Sequence, residues 1–346
     1  MKTVLVTGGS GFLGGWCVYE LLRRGYRVRT TVRAHDKIDG VRVAARSGPD
    51  EVDDGLLHVL VAELTKDAGW QEAVEGCDYV LHTASPFPVT QPRNPDELLI
   101  PAIEGTRRVL SAALRAGVSR IVLTSSSATV RHVAGANDRH RADATGRQEV
   151  FDESTWTDVR DRRASTYARS KTLAEQAAWQ LVAGDRSVLT TILPGTILGP
   201  LRDRHAAYSV QAVSQLLAGT APGIPRLGYS FVDVRDVAAA HIAAMLAPEA
   251  GGRRFLVAGE FLWLSEVADM LRAELGSAAE KVPTRTLPTP LVRLAALGNP
   301  SLRQLRGDLG RRSEFDTTAA HSILDFAPQP IRQTVLACAE SVLSAR

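Results

Sequence analysis

Apolar and polar positions follow two alternating periods along the first part of the chain. Residues 3–7 (TVLVT) are a β-branched run ended by glycines, which is typical of a strand buried on both faces. In residues 12–24 the apolar positions recur at helical spacing, and Gly25 supplies the expected stop. Residues 26–33 (YRVRTTVR) are again rich in strand formers. The pattern predicts a strand–helix–strand unit.

The same rhythm continues, with helical or mixed segments between further strand-like runs. These runs cover residues 56–62, 78–83, 120–125 and 187–193. A helix over residues 101–116 has its apolar residues on one side and ends at Gly117. Such alternation predicts an α/β fold, a Rossmann-like doubly wound parallel sheet with helices on both faces.

Beyond Pro194 the pattern weakens, because prolines interrupt shorter elements. A length of 346 residues is also long for one core, since domains usually contain about 100 to 200 residues. We predict a dinucleotide-binding domain over residues 1–193 and a smaller, mixed substrate-binding domain over residues 194–346. A strand and an alanine-rich helix over residues 230–247 can return to the first domain.

The composition indicates an ordinary folded protein, with 45% apolar and 23% charged residues. The net charge of +3 is small and the arginines are interspersed with acidic residues, so we expect no nucleic-acid partner. Cys17, Cys77 and Cys338 are far apart and indicate neither a disulfide framework nor a metal site. Glycines follow MKTVLVT directly and no run has membrane-spanning length, so we expect a cytoplasmic protein without membrane contact.

Glycines punctuate the turn between the first strand and its helix. The segment TGGSGFLG has the glycine spacing and the strand–turn–helix context that dinucleotide binding requires. A pyrophosphate can approach bare backbone there and meet the positive end of the helix. The candidate cofactor residues are Thr7, Gly8, Gly11, Phe12, Leu13 and Gly14. The alternative is a glycine-rich turn without a ligand.

The end of the second strand distinguishes the two nicotinamide cofactors. An acidic residue there binds the ribose hydroxyls of NAD, whereas an arginine meets the 2′-phosphate of NADP. This strand ends at Arg33, and no carboxylate appears before Asp36. NADP(H) is therefore favoured, with Arg33 as the main phosphate ligand and Lys37 as a second. An exposed arginine without a ligand is the alternative.

Tyr167 and Lys171 lie four residues apart in the segment ASTYARSK. On a helix they share a face, so the ammonium can act on the phenol. Lowering a phenol pKa of about 10 by three units requires roughly 4 kcal/mol of preferential phenolate stabilisation, and a neighbouring cation is one source. The alternative is a solvated pair on a helix surface.

Three serines, Ser125 to Ser127, follow the fifth strand at the edge where ligands bind in such sheets. A serine hydroxyl beside Tyr167 can hold a substrate carbonyl oxygen, although serines at strand ends are also common turn formers. A serine hydrolase is not indicated, because the nucleophile-elbow pattern of glycines is missing.

With TGGSGFLG, TSSSATV and YARSK in this order, the sequence resembles the extended short-chain dehydrogenase/reductase family. It is most similar to the branch of dihydroflavonol reductases, cinnamoyl-CoA reductases and microbial aldehyde or ketone reductases, over about the first 245 residues. The resemblance implies that Tyr167 is the general acid and that Lys171 activates it and binds the ribose. It also implies that Ser126 orients the carbonyl.

Further cofactor contacts are implied by the same resemblance. They cover a position near the adenine, the segment HTASP that lines the cofactor, and a loop over the nicotinamide. The residues are Glu63, Leu64, Thr83, Ala84, Ser85, Pro194 and Thr196.

The substrate positions differ from those of the plant flavonoid enzymes, which carry an asparagine after TSSSATV where this chain has Arg131. A longer, arginine-rich loop follows, so we expect a substrate other than dihydroflavonol. The candidate pocket residues are Phe87, Arg131, Trp156 and Tyr208. The three aromatic residues are equally consistent with packing.

We predict an NADPH-dependent reductase that transfers hydride to the carbonyl of a small aldehyde or ketone, as a monomer or homodimer. One alternative is a nucleotide-sugar epimerase or dehydratase, in which the same residues oxidise the sugar transiently. The other is a non-catalytic protein that senses NADP(H).

Overall fold

The computed structural model describes residues 1–48, 50–86, 94–132, 149–161, 163–202, 208–298 and 307–345. Its strands are β1 (Thr3–Thr7), β2 (Arg27–Val32), β3 (Leu57–Val61), β4 (Tyr79–His82), β5 (Arg120–Thr124), β6 (Glu149–Phe151), β7 (Leu189–Pro194), β8 (Thr196–Leu198), β9 (Ile224–Pro225), β10 (Gly228–Asp233), β11 (Arg254–Val257), β12 (Phe261–Trp263), β13 (Thr286–Leu287) and β14 (Ser313–Phe315). Its helices are α1 (Phe12–Arg23), α2 (Ile38–Arg46), α3 (Trp70–Val74), α4 (Asp96–Arg115), α5 (Thr166–Leu181), α6 (Tyr208–Ala218), α7 (Val234–Leu246), α8 (Leu264–Leu275), α9 (Thr289–Gly298), α10 (Thr318–Leu324) and α11 (Ile331–Ser344).

Seven parallel strands form the central sheet, in the order β3, β2, β1, β4, β5, β7 and β11. The chain runs outward from β1 to β3 and then returns to place β4 on the other side of β1. The strand order therefore reverses between β1 and β4, and in such sheets ligands bind outside the carboxyl ends of the strands at this point. The predicted Rossmann-like fold class is confirmed.

Both faces of the sheet are covered by helices, which the side chains of β1 illustrate. Val4 and Val6 pack in a core with α1 and α7, whereas Leu5 packs in a second core with α3, α4 and α5. Successive side chains of a strand point to opposite faces, so a strand covered on both sides needs an unbroken apolar run.

Helix α4 begins at Asp96, earlier than the predicted start at Pro101. The Asp96 N–H donates to Oδ1 of Asn94 at 3.0 Å, and Asp96 and Glu97 bring two carboxylates to the positive end of the helix. Pro101 lies within the helix. The long helix that results packs along α5, which carries Tyr167.

Two elements from beyond Pro194 belong to the layers around the central sheet. Strand β11 pairs with β7, with Val257 in register with Pro194, and α7 packs against α1. The sequence pattern does not predict β11, because its four residues (RFLV) are too short a run to stand out. A separate core lies among α6, α8 and α11. The division of the chain at residues 193 and 194 stays a prediction.

Candidate active site

The glycine loop folds tightly against itself at the end of β1. Gly8 has φ of 73°, a left-handed conformation that favours glycine, and the N–H of Gly11 donates to the Gly8 carbonyl at 2.9 Å. A Cβ on Gly14 would lie 2.2 Å from the Gly8 oxygen, so the first turn of α1 can approach the loop only without a side chain there. The spacing of these glycines is thus a packing requirement.

The N-terminus of α1 is suited to an anion. Its N-cap residue is Gly11, and within the described residues no side chain caps the first N–H groups. The first turn also contains no acidic residue. Unpaired N–H groups and the helix dipole both favour a phosphate at such a position. The loop therefore fits the pyrophosphate of a dinucleotide, with Phe12 and Leu13 at the start of the helix.

Gly9 is a further glycine that the sequence analysis did not select. A Cβ there would lie 2.1 Å from Oγ1 of Thr30, whose hydroxyl donates to the Val6 carbonyl at 2.7 Å. The loop thus passes directly over β2. The doubled glycine of TGG was the available signal, but the neighbour on β2 cannot be read from the spacing.

The ends of β1 and β4 are joined by Thr7. The Thr7 Oγ1 lies 2.8 Å from Nδ1 of His82 and accepts from the Ala84 N–H at 3.1 Å. The Thr83 hydroxyl donates to the Thr7 carbonyl at 2.7 Å. A Cβ on Gly8 would lie 3.1 Å from Cα of Ala84. These predicted cofactor residues therefore meet at the reversal point of the sheet.

The predicted adenine end lies beside the carboxyl ends of β2 and β3. Arg33 and Lys37 are exposed. Hydrogen bonds from Lys66 and Thr65 lower the pKa of Glu63, and the charge of Arg33 acts in the same direction. Arg33 and Glu63 are therefore close enough to interact, with Arg33 available to an anion from solvent.

Tyr167 lies in the first turn of α5. The hydroxyl of Ser165 caps this helix by accepting from the Ala168 N–H at 3.1 Å, which fixes the turn that carries the tyrosine. The side chain of Ser126 lies beside that of Tyr167 and acts to lower the pKa of its phenol. Ser126 and Tyr167 are far apart in the sequence and come together because α5 packs against the residues that follow β5.

The serines that follow β5 have different partners. Ser125 donates to Oε2 of Glu175 at 2.6 Å, away from the tyrosine. Ser126 lies beside Tyr167 and its Oγ also accepts from the Ala128 N–H at 3.1 Å. This geometry supports the choice of Ser126 over Ser125 for the carbonyl-orienting role, which stays a prediction.

Lys171 is buried one turn after the tyrosine, with 9% of its surface exposed. Its Nζ donates to the Thr124 carbonyl at 3.1 Å. Burial lowers the pKa of Lys171 to about 8, and the charge of Glu175 opposes this shift. A small pocket beside the lysine is lined in part by Leu64, Ala84, Ser85 and Thr124.

Two buried histidines lie near Lys171. Nε2 of His241 lies 2.7 Å from Oγ1 of Thr124, and its Nδ1 lies 2.8 Å from the Val237 carbonyl. Burial lowers the pKa of His241 to about 4 and that of His82 to about 3, and the charge of Lys171 contributes to both. Both imidazoles are therefore neutral at pH 7, which leaves Lys171 as the cation beside Tyr167.

Burial raises the pKa of Tyr167, and the neighbouring Ser126 side chain offsets this in part. Desolvation is the larger cause, because burial disfavours the charged phenolate. Activation of this phenol by Lys171 stays a prediction. A raised pKa keeps the tyrosine protonated at neutral pH, the form that a proton donor requires.

Pro194 and Thr196 lie where β7 passes into β8. Pro194 is in register with Val257, and Thr196 with Phe231. Between them, a Cβ on Gly195 would lie 2.3 Å from the Ser230 carbonyl. The segment is therefore held close to neighbouring strands on both sides, at the same carboxyl edge as the serines.

The candidate substrate residues are engaged elsewhere or fall outside the description. Arg131 forms an ion pair with Asp308 at 2.7 Å, and the ring of Trp156 lies under the guanidinium of Arg254 at 3.6 Å. Tyr208 is the first residue of α6, but its side chain lies outside the described part. Phe87 also lies outside the described residues.

In the described ranges, no group of His, Cys, Asp or Glu side chains is placed to hold a metal ion. No helix in the part of the chain that the structure describes has both the length and the apolar character to cross a membrane.

The sequence matches the NAD dependent epimerase/dehydratase family over residues 4–258, and the chain belongs to this family. It is 35% identical to cinnamoyl-CoA reductase 1 of Oryza sativa subsp. japonica, over 78% of this chain and 75% of that protein. It is 36% identical to the ketoreductase azaE of Aspergillus niger, over 84% of this chain and 87% of that protein. The predicted extended short-chain dehydrogenase/reductase family and reductase branch are confirmed.

Among solved structures, yeast methylglyoxal/isovaleraldehyde reductase Gre2 complexed with NADPH has a TM-score of 0.79 and 26% identity, covering 99% of this chain and 98% of that chain. A nucleoside-diphosphate-sugar epimerase from Pseudomonas aeruginosa has a TM-score of 0.75 at 18% identity, covering 99% of this chain and 98% of that chain. The fold alone therefore does not separate reductases from epimerases. The sequence relatives and the NADPH complex bear out the predicted class, an NADP-dependent oxidoreductase.

Proposed function

We propose that this enzyme reduces the carbonyl group of a small aldehyde or ketone with NADPH, using Ser126, Tyr167 and Lys171. The observation that carries the proposal is that the Ser126 and Tyr167 side chains lie beside each other after the end of β5, with buried Lys171 one helical turn away. Two hydroxyls that meet at one point can both contact a single carbonyl oxygen.

NADPH, when bound, supplies the hydride. The glycine loop and the N-terminus of α1 would hold its pyrophosphate, and Arg33 with Lys37 would hold the 2′-phosphate. Lys171 would bind the ribose. Its ammonium has three N–H donors, and the bond to the Thr124 carbonyl uses one of them. The ends of β1, β4 and β7 would line the rest of the cofactor, with Glu63 near the adenine.

The chain's own chemistry is proton donation and positioning. The Ser126 hydroxyl donates a hydrogen bond to the carbonyl oxygen, and the Tyr167 hydroxyl gives its proton to that oxygen as negative charge develops there. The ammonium of Lys171 stabilises the phenolate that remains. Each group therefore acts on the same oxygen, directly or through its neighbour.

The substrate class is supported by relatives that are named for carbonyl reduction: cinnamoyl-CoA reductases, a ketoreductase and a methylglyoxal/isovaleraldehyde reductase. We propose Arg131 as a substrate residue, with its charge balanced by Asp308. We propose Phe87, Trp156 and Tyr208 as further pocket residues, with dihydroflavonol as a poor substrate. A cytoplasmic location, no nucleic-acid partner and a monomeric or homodimeric state complete the proposal.

The test is Tyr167→Phe, with NADPH consumption measured across aldehydes, diketones and α-keto esters. Loss of the phenolic proton should lower kcat by on the order of 10³-fold, while NADPH binding followed by fluorescence stays within about twofold of the wild type. Tyr26→Phe is the matched control, because Tyr26 packs against the core beside α1. Retained turnover in Tyr167→Phe would contradict the role of the tyrosine.

The purified wild-type enzyme separates the alternatives. A reductase exchanges NADPH freely and consumes it, whereas an epimerase or dehydratase retains its cofactor without net consumption. A protein that binds NADPH but turns over no substrate of the panel would support the non-catalytic alternative.

A further inference from the structure

A buried carboxylate lies one helical turn beyond Lys171. The side chain of Glu175 is 0% exposed and accepts hydrogen bonds from its own helix and from three other parts of the fold. Its oxygens accept from Ser125 at 2.6 Å, Thr191 at 2.8 Å, Trp179 at 3.3 Å and Nε of Arg254 at 2.8 Å. Ser125, Thr191 and Arg254 lie outside α5, so the position of the carboxylate depends on tertiary structure.

Arg254 is the cation of this pair and enters from β11, with its side chain 8% exposed. Its remaining donors bind the carbonyls of Glu153 and Thr155 at 2.7 Å each and the hydroxyl of Thr129 at 2.9 Å. The ring of Trp156 covers the guanidinium. The ion pair is thus hydrogen-bonded throughout, the condition under which a buried pair is tolerated.

The contacts of Glu175 act on both sides of the proposed catalytic centre. Ser125 directly precedes Ser126, so its bond to Glu175 holds the end of β5 against α5. Lys171 lies on the same face of α5 as Glu175, one turn earlier. A shift of this carboxylate therefore moves the serine backbone and changes the electrostatic surroundings of the lysine.

We propose that Glu175 is a positioning residue for the proposed reduction, holding Ser126 and Lys171 in place, with Arg254 as the cation that balances it. The inference rests on the proposed function for its catalytic meaning. Neither residue touches the reacting atoms, so both act through the groups they hold.

The charges of Glu175 and Arg254 should shift the pKa of Lys171 in opposite directions. Among the described residues, the titratable groups that face Lys171 are His82 from β4, His241 from α7, and Glu175 and Tyr167 from its own helix. Glu175 raises the pKa of Lys171 against the effect of burial. Removing this negative charge should lower that pKa further, whereas removing the Arg254 charge should raise it, because the carboxylate is then unbalanced.

The charge of Lys171 can be followed without any substrate. The lysines of the sequence are Lys2, Lys37, Lys66, Lys171 and Lys281. Carbon-13 labelling at Cε of lysine therefore gives a simple spectrum, and the loss of one signal in Lys171→Arg identifies Lys171. In the wild type this signal should titrate with a pKa of about 8.

We expect the Lys171 titration to move to lower pH in Glu175→Gln, to higher pH in Arg254→Gln, and back towards the wild-type position in the double variant. Arg186→Gln is the matched control, because Arg186 is exposed and lies over Trp179 without contacting Glu175. Shifts in the same direction for both single variants, or no shift, would overturn the inference. Where Glu175→Gln does not fold, Arg254→Gln and the double variant give the same test.

Measurements of turnover distinguish the positioning role of Glu175 from the proposed reductase function. In Ser125→Ala, which keeps both charges, kcat should fall on the order of 10-fold to 10²-fold with the KM for NADPH within about twofold, since misplacement of a catalytic group slows the chemical step. If Ser125→Ala keeps the wild-type kcat and the Lys171 signal does not shift in Glu175→Gln or Arg254→Gln, the positioning role alone is refuted. An inactive wild type whose Lys171 signal shifts as described would refute the reductase and keep the electrostatic coupling.

Discussion

The glycine loop and the Tyr167 helix lie at the same edge of the sheet but are built in different ways. The loop takes its shape from the backbone of a few consecutive residues, as the contact between Gly14 and the Gly8 carbonyl shows. Helix α5 takes its partners from the end of β5, from β7 and from β11. A cofactor-binding loop made of backbone can therefore be predicted from a short sequence motif. The surroundings of a reacting side chain cannot, because they come from distant segments.

The two regions should also respond differently to substitution. Changes in the loop should affect cofactor binding, and changes beside Tyr167 should affect turnover with the cofactor bound. Each of the following variants can break this division or make it sharper.

After the loss expected for Tyr167→Phe, the largest effect is expected for Ser126→Ala. Removing a hydrogen-bond donor to the developing oxyanion should lower kcat by roughly 10²-fold to 10³-fold, with little change in the Kd for NADPH. Steady-state kinetics and fluorescence titration give the two numbers. Ser127→Ala is the matched control one position on, and an equal loss in both variants would show that the turn as a whole matters.

The next effect is a pH dependence of stability that originates at Lys171. Its folded pKa of about 8 lies below the ordinary value of 10.5, so between these pH values the unfolded chain binds more protons. The free energy of unfolding therefore rises with pH over that interval, by up to roughly 3 kcal/mol. Urea denaturation at pH 7.5 and pH 10, relative to Lys171→Met, measures it, and parallel curves for the two proteins would contradict it.

Gly14→Ala tests the loop. A Cβ placed 2.2 Å from the Gly8 oxygen forces α1 away from the loop, so stability should fall by about 2 kcal/mol and NADPH binding should weaken. Gly40→Ala in α2 is the matched control, because nothing lies within 4 Å of its Cβ position. There the same substitution should raise stability by about 0.5 kcal/mol, since glycine is a poor helix former. Thermal unfolding and NADPH fluorescence decide both.

The smallest effect is expected at the proposed 2′-phosphate site. Arg33→Ser should raise the KM for NADPH roughly tenfold and leave the KM for NADH nearly unchanged, because one charge-assisted hydrogen bond is lost. Arg27→Ser removes an exposed arginine at the other end of β2 and should change neither value. A preference for NADPH that survives Arg33→Ser would move the phosphate site elsewhere.

The first half of the fold was predictable because its signals are local. Continuous apolar runs such as TVLVT identify strands that are covered on both faces, and glycines end the helices between them. Strand β11 was missed because four residues carry too little pattern, although pairing with β7 makes it part of the sheet. The start of α4 was placed too late because Pro101 was taken for its first turn.

The candidate site was predictable to the extent that it follows from chain order and helical spacing. The glycine loop, the shared helix face of Tyr167 and Lys171, and the family of the chain can be read from the amino-acid sequence. Only the tertiary structure showed that Ser125 bonds to Glu175 while Ser126 meets the tyrosine. It also showed that burial of Tyr167 raises the pKa of its phenol. Local spacing fixes which side chains can share a face, but desolvation and ion pairing depend on segments that meet only when the chain folds.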